Sequence, residues 1–165
     1  MRILGLSVIA LSLAAGLPAQ ASLRTLQRWN PRAPVFTARI RAAGLRDSEG
    51  APIDARALSD RRMIAVCGVA RPATFAASLS ELELSAEETL VFRDHHRYTS
   101  RDLDRIRRAA QGTDSAWLVT TEKDAVKLAG RAPLPMVAVR LSVEVLEEGF
   151  FAFLQERLRR GPAVR

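Results

Sequence analysis

Four short apolar runs, MIAVCGVA (63–70), TLVFRD (89–94), AWLVTTE (116–122) and PMVAVRL (135–141), alternate with stretches of helical period. Each run has the length of a strand, and each interval has room for a helix. MIAVCGVA is apolar without a break, the pattern of a strand covered on both faces. The alternation predicts an α/β fold: a mostly parallel sheet flanked by helices. The helix signals agree. Pro72 stands near the first turn of a helix, where its missing N–H costs nothing, and Phe75, Leu79 and Leu82 follow at helical spacing. Thr99 or Ser100 caps a second helix with Leu103, Ile106 and Ala110 as its buried stripe. Thr120 or Thr121 caps a third, which carries Val126 and Leu128. A last amphipathic helix over 147–160 has Phe150, Phe151, Leu154 and Leu158 on its apolar face. Upstream, VFTARIRA (35–42) alternates like a half-buried strand, and RDSEGAP (46–52) has the composition of a turn.

At 165 residues the chain is long enough for one domain with a real core. That domain is expected over residues 31–160, with 161–165 as a frayed tail. Residues 1–22, MRILGLSVIALSLAAGLPAQAS, read as an apolar leader. Arg2 is a short basic region, residues 3–17 are apolar, and Ala19-Gln20-Ala21 is a small-x-small cleavage site. The apolar part is too short for a comfortable transmembrane helix, which needs about 20 residues. Taken alone, the leader predicts export.

The net charge of +7 is carried almost entirely by arginine; the two lysines are Lys123 and Lys127. A GC-rich genome accounts for such a bias, and attraction to an anionic partner accounts for it as well. Nucleic acid is not an expected partner, because aromatics make up only 5% of the chain and no basic stretch interleaves with them. The single cysteine, Cys67, excludes an internal disulfide and reads as a small core residue. With one cysteine and two histidines a structural zinc site has too few ligands, and no metal site is assigned.

Three polar clusters fall at the ends of expected strands, where ligands bind in open parallel sheets. The first is GVARP (68–72). Gly68 can let backbone approach a ligand, and Arg71 near a helix N-terminus can meet an anion; a plain strand-to-helix turn explains both equally. The second is Asp94-His95-His96, which holds both histidines of the chain. A carboxylate beside an imidazole fixes its tautomer and raises its basicity. Adjacent histidines point in different directions, so one faces a site and the other does not; a surface loop is the alternative. The third is TTEKDAVK (120–127), which holds both lysines. Glu122 and Asp124 suit the dipole of a helix N-terminus, and Lys123 suits a phosphate or carboxylate partner. Asp-His-His also marks a two-metal phosphoesterase superfamily. That chemistry needs further aspartates on preceding strands, whereas Asp47, Asp54 and Asp60 lie in loop-like sequence.

In order, C-G-V-A-R-P-x-x-F, F-x-D-H-H-x-Y and V-T-T-E-K-D-A-V-K-L resemble the C-terminal part of the tetraacyldisaccharide 4'-kinase (lipid A 4'-kinase) family, over about residues 31–158. The resemblance implies the C-terminal lobe of a P-loop-like α/β kinase. It implies transfer of the ATP γ-phosphate, with Mg²⁺, to the 4'-hydroxyl of a lipid A disaccharide precursor at the cytoplasmic face of the inner membrane. A histidine of the D-H-H motif would pair with an aspartate of the N-terminal lobe and activate the sugar hydroxyl. His95 is the candidate, with Asp94 positioning the loop. Lys123, Arg71 and His96 would face substrate or phosphate. Gly68, Thr120, Thr121, Glu122 and Asp124 would shape the motifs.

The sequence departs from the family in one respect that matters for chemistry. It holds no G-x-x-x-x-G-K-[ST] phosphate loop and no counterpart of the N-terminal lobe. The expectation is a kinase chain reduced to its C-terminal lobe, by truncation, frameshift or a wrong start, and inactive alone unless a separate N-terminal lobe completes it. The alternative is an exported, non-catalytic α/β binding module.

Overall fold

The computed structural model describes residue 24 and residues 27–111 and 116–159. The leader at 1–22 and the tail at 161–165 lie outside the described residues. The chain divides into two compact units, one of residues 41–142 and one of residues 1–40 with 143–165, the boundary falling inside two strands.

The strands are β1 (Ala38–Arg46), β2 (Pro52–Ile53), β3 (Met63–Cys67), β4 (Glu88–Val91), β5 (Trp117–Thr121) and β6 (Met136–Val145). The helices are α1 (Pro72–Glu81), α2 (Ser100–Ala109), α3 (Glu122–Leu128) and α4 (Gly149–Arg159), and a short 3-10 turn spans Ala55–Leu58. The sheet order is β2-β1-β6-β5-β3-β4. β3 pairs in parallel with β4 and β5, β5 pairs in parallel with β6, and β1 pairs antiparallel with β2. The expected α/β class with a mostly parallel sheet is what the chain forms.

Within the unit of residues 41–142, β3 is central and all five of its residues are buried. Its alternation feeds two cores. Met63, Ala65 and Cys67 pack with Phe75 and Leu79 of α1. Ile64 and Val66 pack with Ile106 of α2 and Leu128 of α3 on the other face. A run that must serve both faces has no place for a polar residue. Pro72 opens α1 as expected. The helix closes with the Leu84 N–H on the Leu79 carbonyl and the Glu83 N–H on the Ser80 carbonyl, with Glu83 left-handed at φ 57°. Of the two candidate caps of α2, Thr99 is the one used, in a reciprocal capping box with Asp102.

Two expectations change, the bounds of β1 and the apolar face of the last helix. β1 occupies 38–46 rather than 35–42, and the 46–52 turn leads into a short strand, β2, whose Ile53 lies opposite Leu45. Val126 is 79% exposed. The seven residues of α3 bury Asp124 and Leu128, one turn apart, which leaves Val126 on another face. Phe151, Leu154 and Leu158 of α4 are exposed, not buried. In the unit of 1–40 and 143–165, Phe36 instead packs on Phe150 and Phe153, each with ring centroids 5.2 Å apart. There the Leu146 N–H donates to the Thr37 carbonyl, and the Thr37 N–H donates to Glu147 Oε2 at 2.6 Å. No described helix is long and apolar enough to cross a membrane.

Candidate active site

The site is set by a reversal of the sheet. From β3 the chain crosses by α1 to β4 on one side, then by α2 back past β3 to β5 on the other. Successive crossovers on opposite faces leave a crevice at the carboxyl ends of β3 and β5, the position where open parallel sheets bind ligands. Gly68 follows β3, Asp94 follows β4, and Thr120 to Asp124 end β5 and begin α3. The topology thus brings the three clusters to neighbouring strand ends.

Asp124 ties two of them together. It is fully buried. Its Oδ2 accepts from the Gly68 N–H at 2.8 Å and from Thr121 Oγ1 at 3.0 Å, and its Oδ1 accepts from Lys127 Nζ at 2.9 Å. Burial works to raise its pKa, but the bonds from Gly68, Lys127 and Thr121 outweigh that and hold it below the ordinary carboxylate value. Asp124 stands in the first turn of α3 and is also a buried internal tie. Thr121 caps α3 through the Asp124 N–H, while the Thr120 hydroxyl donates to the Val66 carbonyl at 2.7 Å. Gly68 allows a close approach of neighbouring protein atoms. A Cβ there would lie 3.2 Å from the Arg93 carbonyl oxygen, 3.3 Å from Asp124 Oδ1 and 3.4 Å from His96 Cβ. The loop after β4 is seated directly against it.

The two histidines part company on that loop. His96 turns inward. Its ring stacks on Phe92 with centroids 4.8 Å apart, meets Tyr98 edge-on, and puts Nε2 3.0 Å from Asp102 Oδ2. Burial works to raise the Asp102 pKa, but hydrogen bonds from the Thr99 N–H and hydroxyl, together with His96, bring it down to about 2. The Tyr98 hydroxyl is buried beneath this layer. Burial, with Asp124 nearby, pushes its pKa up. His95 turns outward, its side chain 84% exposed, on a left-handed backbone at φ 57°. A non-glycine residue in that conformation carries strain of about 1–2 kcal/mol. The loop tolerates it because Asp94 Oδ1 accepts the His95 N–H at 2.9 Å. Lys123 Nζ donates to the same oxygen at 2.6 Å, and the Asp94 Oδ2 lies 3.7 Å from His95 Nε2. The hydrogen bond from Lys123 holds the Asp94 carboxyl below its usual range.

Asp94, His95 and Lys123 thus stand together and open to solvent, with His96 packed behind them. Arg71 occupies the N-cap position of α1, is exposed and makes no capping hydrogen bond with its side chain. Glu122 is half-exposed and lies 4.0 Å from Arg46 rather than with the cluster. Asp102, the partner of His96, went unnoticed in the sequence; the Thr99-x-x-Asp102 spacing of a capping box was its signal. Among the described residues no group of three or more His, Cys, Asp or Glu side chains could hold a metal ion.

A family model described as tetraacyldisaccharide-1-P 4'-kinase matches residues 7–159. The chain belongs to this family. The matched region holds all three motifs and also takes in residues 7–22 of the apolar leader. A tetraacyldisaccharide 4'-kinase from Anaeromyxobacter sp. (strain Fw109-5) is 35% identical over 164 residues, covering 86% of this chain and 44% of that protein. Another, from Anaeromyxobacter dehalogenans (strain 2CP-1 / ATCC BAA-258), is 37% identical over 130 residues, covering 76% and 34%. The chain therefore spans less than half the length of these curated 4'-kinase relatives. The fold is similar to that of LpxK from Aquifex aeolicus, solved in complex with ATP, with a TM-score of 0.57 at 21% identity, covering 92% of this chain and 51% of that one.

Proposed function

We propose that this chain supplies the acceptor-activating half of a lipid A 4'-kinase site, with His95 as the base. The observation that carries the reading is the position of His95: exposed at the strand-end crevice, strained, and anchored by an Asp94 that is itself held by Lys123. The acceptor is the 4'-hydroxyl of a lipid A disaccharide precursor. Neutral His95 would take the hydroxyl proton as the sugar oxygen bonds to the γ-phosphorus of ATP and the bond from that phosphorus to the β–γ bridging oxygen breaks, with ADP as the leaving group. Phosphoryl transfer asks chiefly for positioning and charge neutralisation, so Lys123 and Arg71 have a natural role toward phosphate. His96, buried on Asp102, supports the loop.

ATP and Mg²⁺ are the family's donor and metal. The residues described here do not fit them, since no phosphate loop occurs in the 165 residues and no acidic cluster suits a metal. We place donor binding, and the aspartate that pairs with His95, in the other half of the family's fold. The exposed apolar residues Val143, Leu146, Phe151 and Leu158, all in one unit, are suited to such a partner. The site would work at the cytoplasmic face of the inner membrane.

The test is reconstitution. The purified chain is assayed for phosphate transfer from labelled ATP to the tetraacyl disaccharide, alone and mixed with the N-terminal half of the Anaeromyxobacter relative. Transfer only in the mixture supports the reading. Transfer by the chain alone, or none in a mixture that forms a stable complex, would sink it.

A further inference from the structure

A second face of α3 is turned away from the buried Asp124 and Leu128, with Ala125 on it packed only in part against the core. Glu122, Ala125 and Val126 fall at positions i, i+3 and i+4 of the helix, and Ala129, its non-helical C-cap, follows them. They form one wall of a cleft of about 410 Å³, a volume within the range of small-ligand sites. Met136 and Ala138, alternate residues on one face of β6, also line it, and the β1–β2 turn from Arg46 to Gly50 closes the far side. The cleft exists because three of its apolar lining residues are alanines, so that no side chain fills the space between helix and turn. Polar groups are confined to the turn and to Glu122.

We propose that this cleft holds an acyl chain of the acceptor; the proposal rests on the kinase reading above, whose family substrate carries four. Two observations favour hydrocarbon over a protein partner. Apart from Glu122 at the start of α3, the helix and strand lining offers only alkyl groups and a thioether, with no aromatic anchor of the kind that concentrates energy in protein interfaces. α3 also starts at the carboxyl end of β5, while Met136 is the first residue of β6, so the Glu122 end of the cleft lies at the side of the sheet that carries the Asp94–His95–Lys123 cluster. Val126, 79% exposed against 46% for Val91 and 43% for Leu141 in the same unit, is then the residue an acyl chain would cover.

The experiment titrates the full chain, methyl-labelled at alanine and valine, with dodecyl maltoside below its micelle concentration. Saturable shifts at Ala125, Val126 and Ala129 are expected. Val126→Asp, at a position exposed enough to leave the fold intact by circular dichroism, should weaken binding about tenfold. In the reconstituted enzyme the same substitution should raise KM for the tetraacyl acceptor and leave KM for ATP unchanged. Shifts that never saturate, or that ignore Val126→Asp, would overturn the proposal. So would shifts at Val126 that appear only when the other half of the kinase is added. The two readings fail separately: an unchanged acceptor KM in Val126→Asp removes the cleft alone, and unchanged turnover in a His95 variant removes the base alone.

Discussion

Two carboxylates beyond the ends of β5 and β4, Asp124 and Asp94, have opposite surroundings. Asp124 is buried and takes three hydrogen bonds from Gly68, Thr121 and Lys127. Asp94 is exposed and shares one oxygen between Lys123 and the His95 N–H. The same division separates His96, stacked and paired, from His95, open and strained. The difference teaches that the motifs contain a scaffold and a working edge, interleaved residue by residue. In T-T-E-K-D, Lys123 belongs to the edge and Asp124 to the scaffold. In D-H-H, the first two residues, Asp94 and His95, belong to the edge, and His96 belongs to the scaffold.

If that division is right, substitutions in the scaffold should cost stability and substitutions at the edge should not. The largest loss is expected for Asp124→Ala, which leaves the Gly68 N–H without its acceptor and Lys127 without its partner. Chemical denaturation should find it destabilised by about 3 kcal/mol. Gly68→Ala comes next. Its Cβ would press on the backbone oxygen of Arg93, which cannot rotate away, so a loss of about 1–2 kcal/mol is expected, with altered amide shifts through residues 93–97. A wild-type midpoint in either variant would break the comparison.

Smaller effects sharpen it. The Asp102 pKa is depressed to about 2, below the unfolded value of about 3.9. A depressed carboxylate stabilises the fold above its unfolded pKa, and that contribution is lost as pH falls from about 4 through about 2. Allowing for solvent screening it amounts to about 1 kcal/mol. Asp102→Asn should flatten the acid limb of the stability–pH curve, while a curve with unchanged slope would remove Asp102 from the scaffold.

Much of the scaffold could be read from residues alone. The unbroken apolarity of β3 announced burial on both faces, and Pro72 marked the start of α1. The motifs at three strand ends pointed to the crevice. What could not be read was the strand order, because it depends on which face each crossover helix takes. The burial of Asp124 was hidden too. A carboxylate in the first turn of a helix looks the same in sequence whether it meets solvent or the N–H of a distant glycine. The inner face of α3 was hidden as well, because the helix is only seven residues long and periodicity could not choose between Val126 and Asp124. The outward turn of His95 follows from its left-handed backbone, for which histidine gives no signal of the kind glycine does.

The most direct test is His95→Gly, measured for both stability and turnover in the reconstituted kinase. Glycine accepts the left-handed backbone, so the chain should be equally stable or gain about 0.5 kcal/mol. Loss of a general base should lower turnover at least about a hundredfold. A more stable chain with turnover largely abolished is the predicted result. Turnover that survives the substitution would contradict the assignment of His95 as the base.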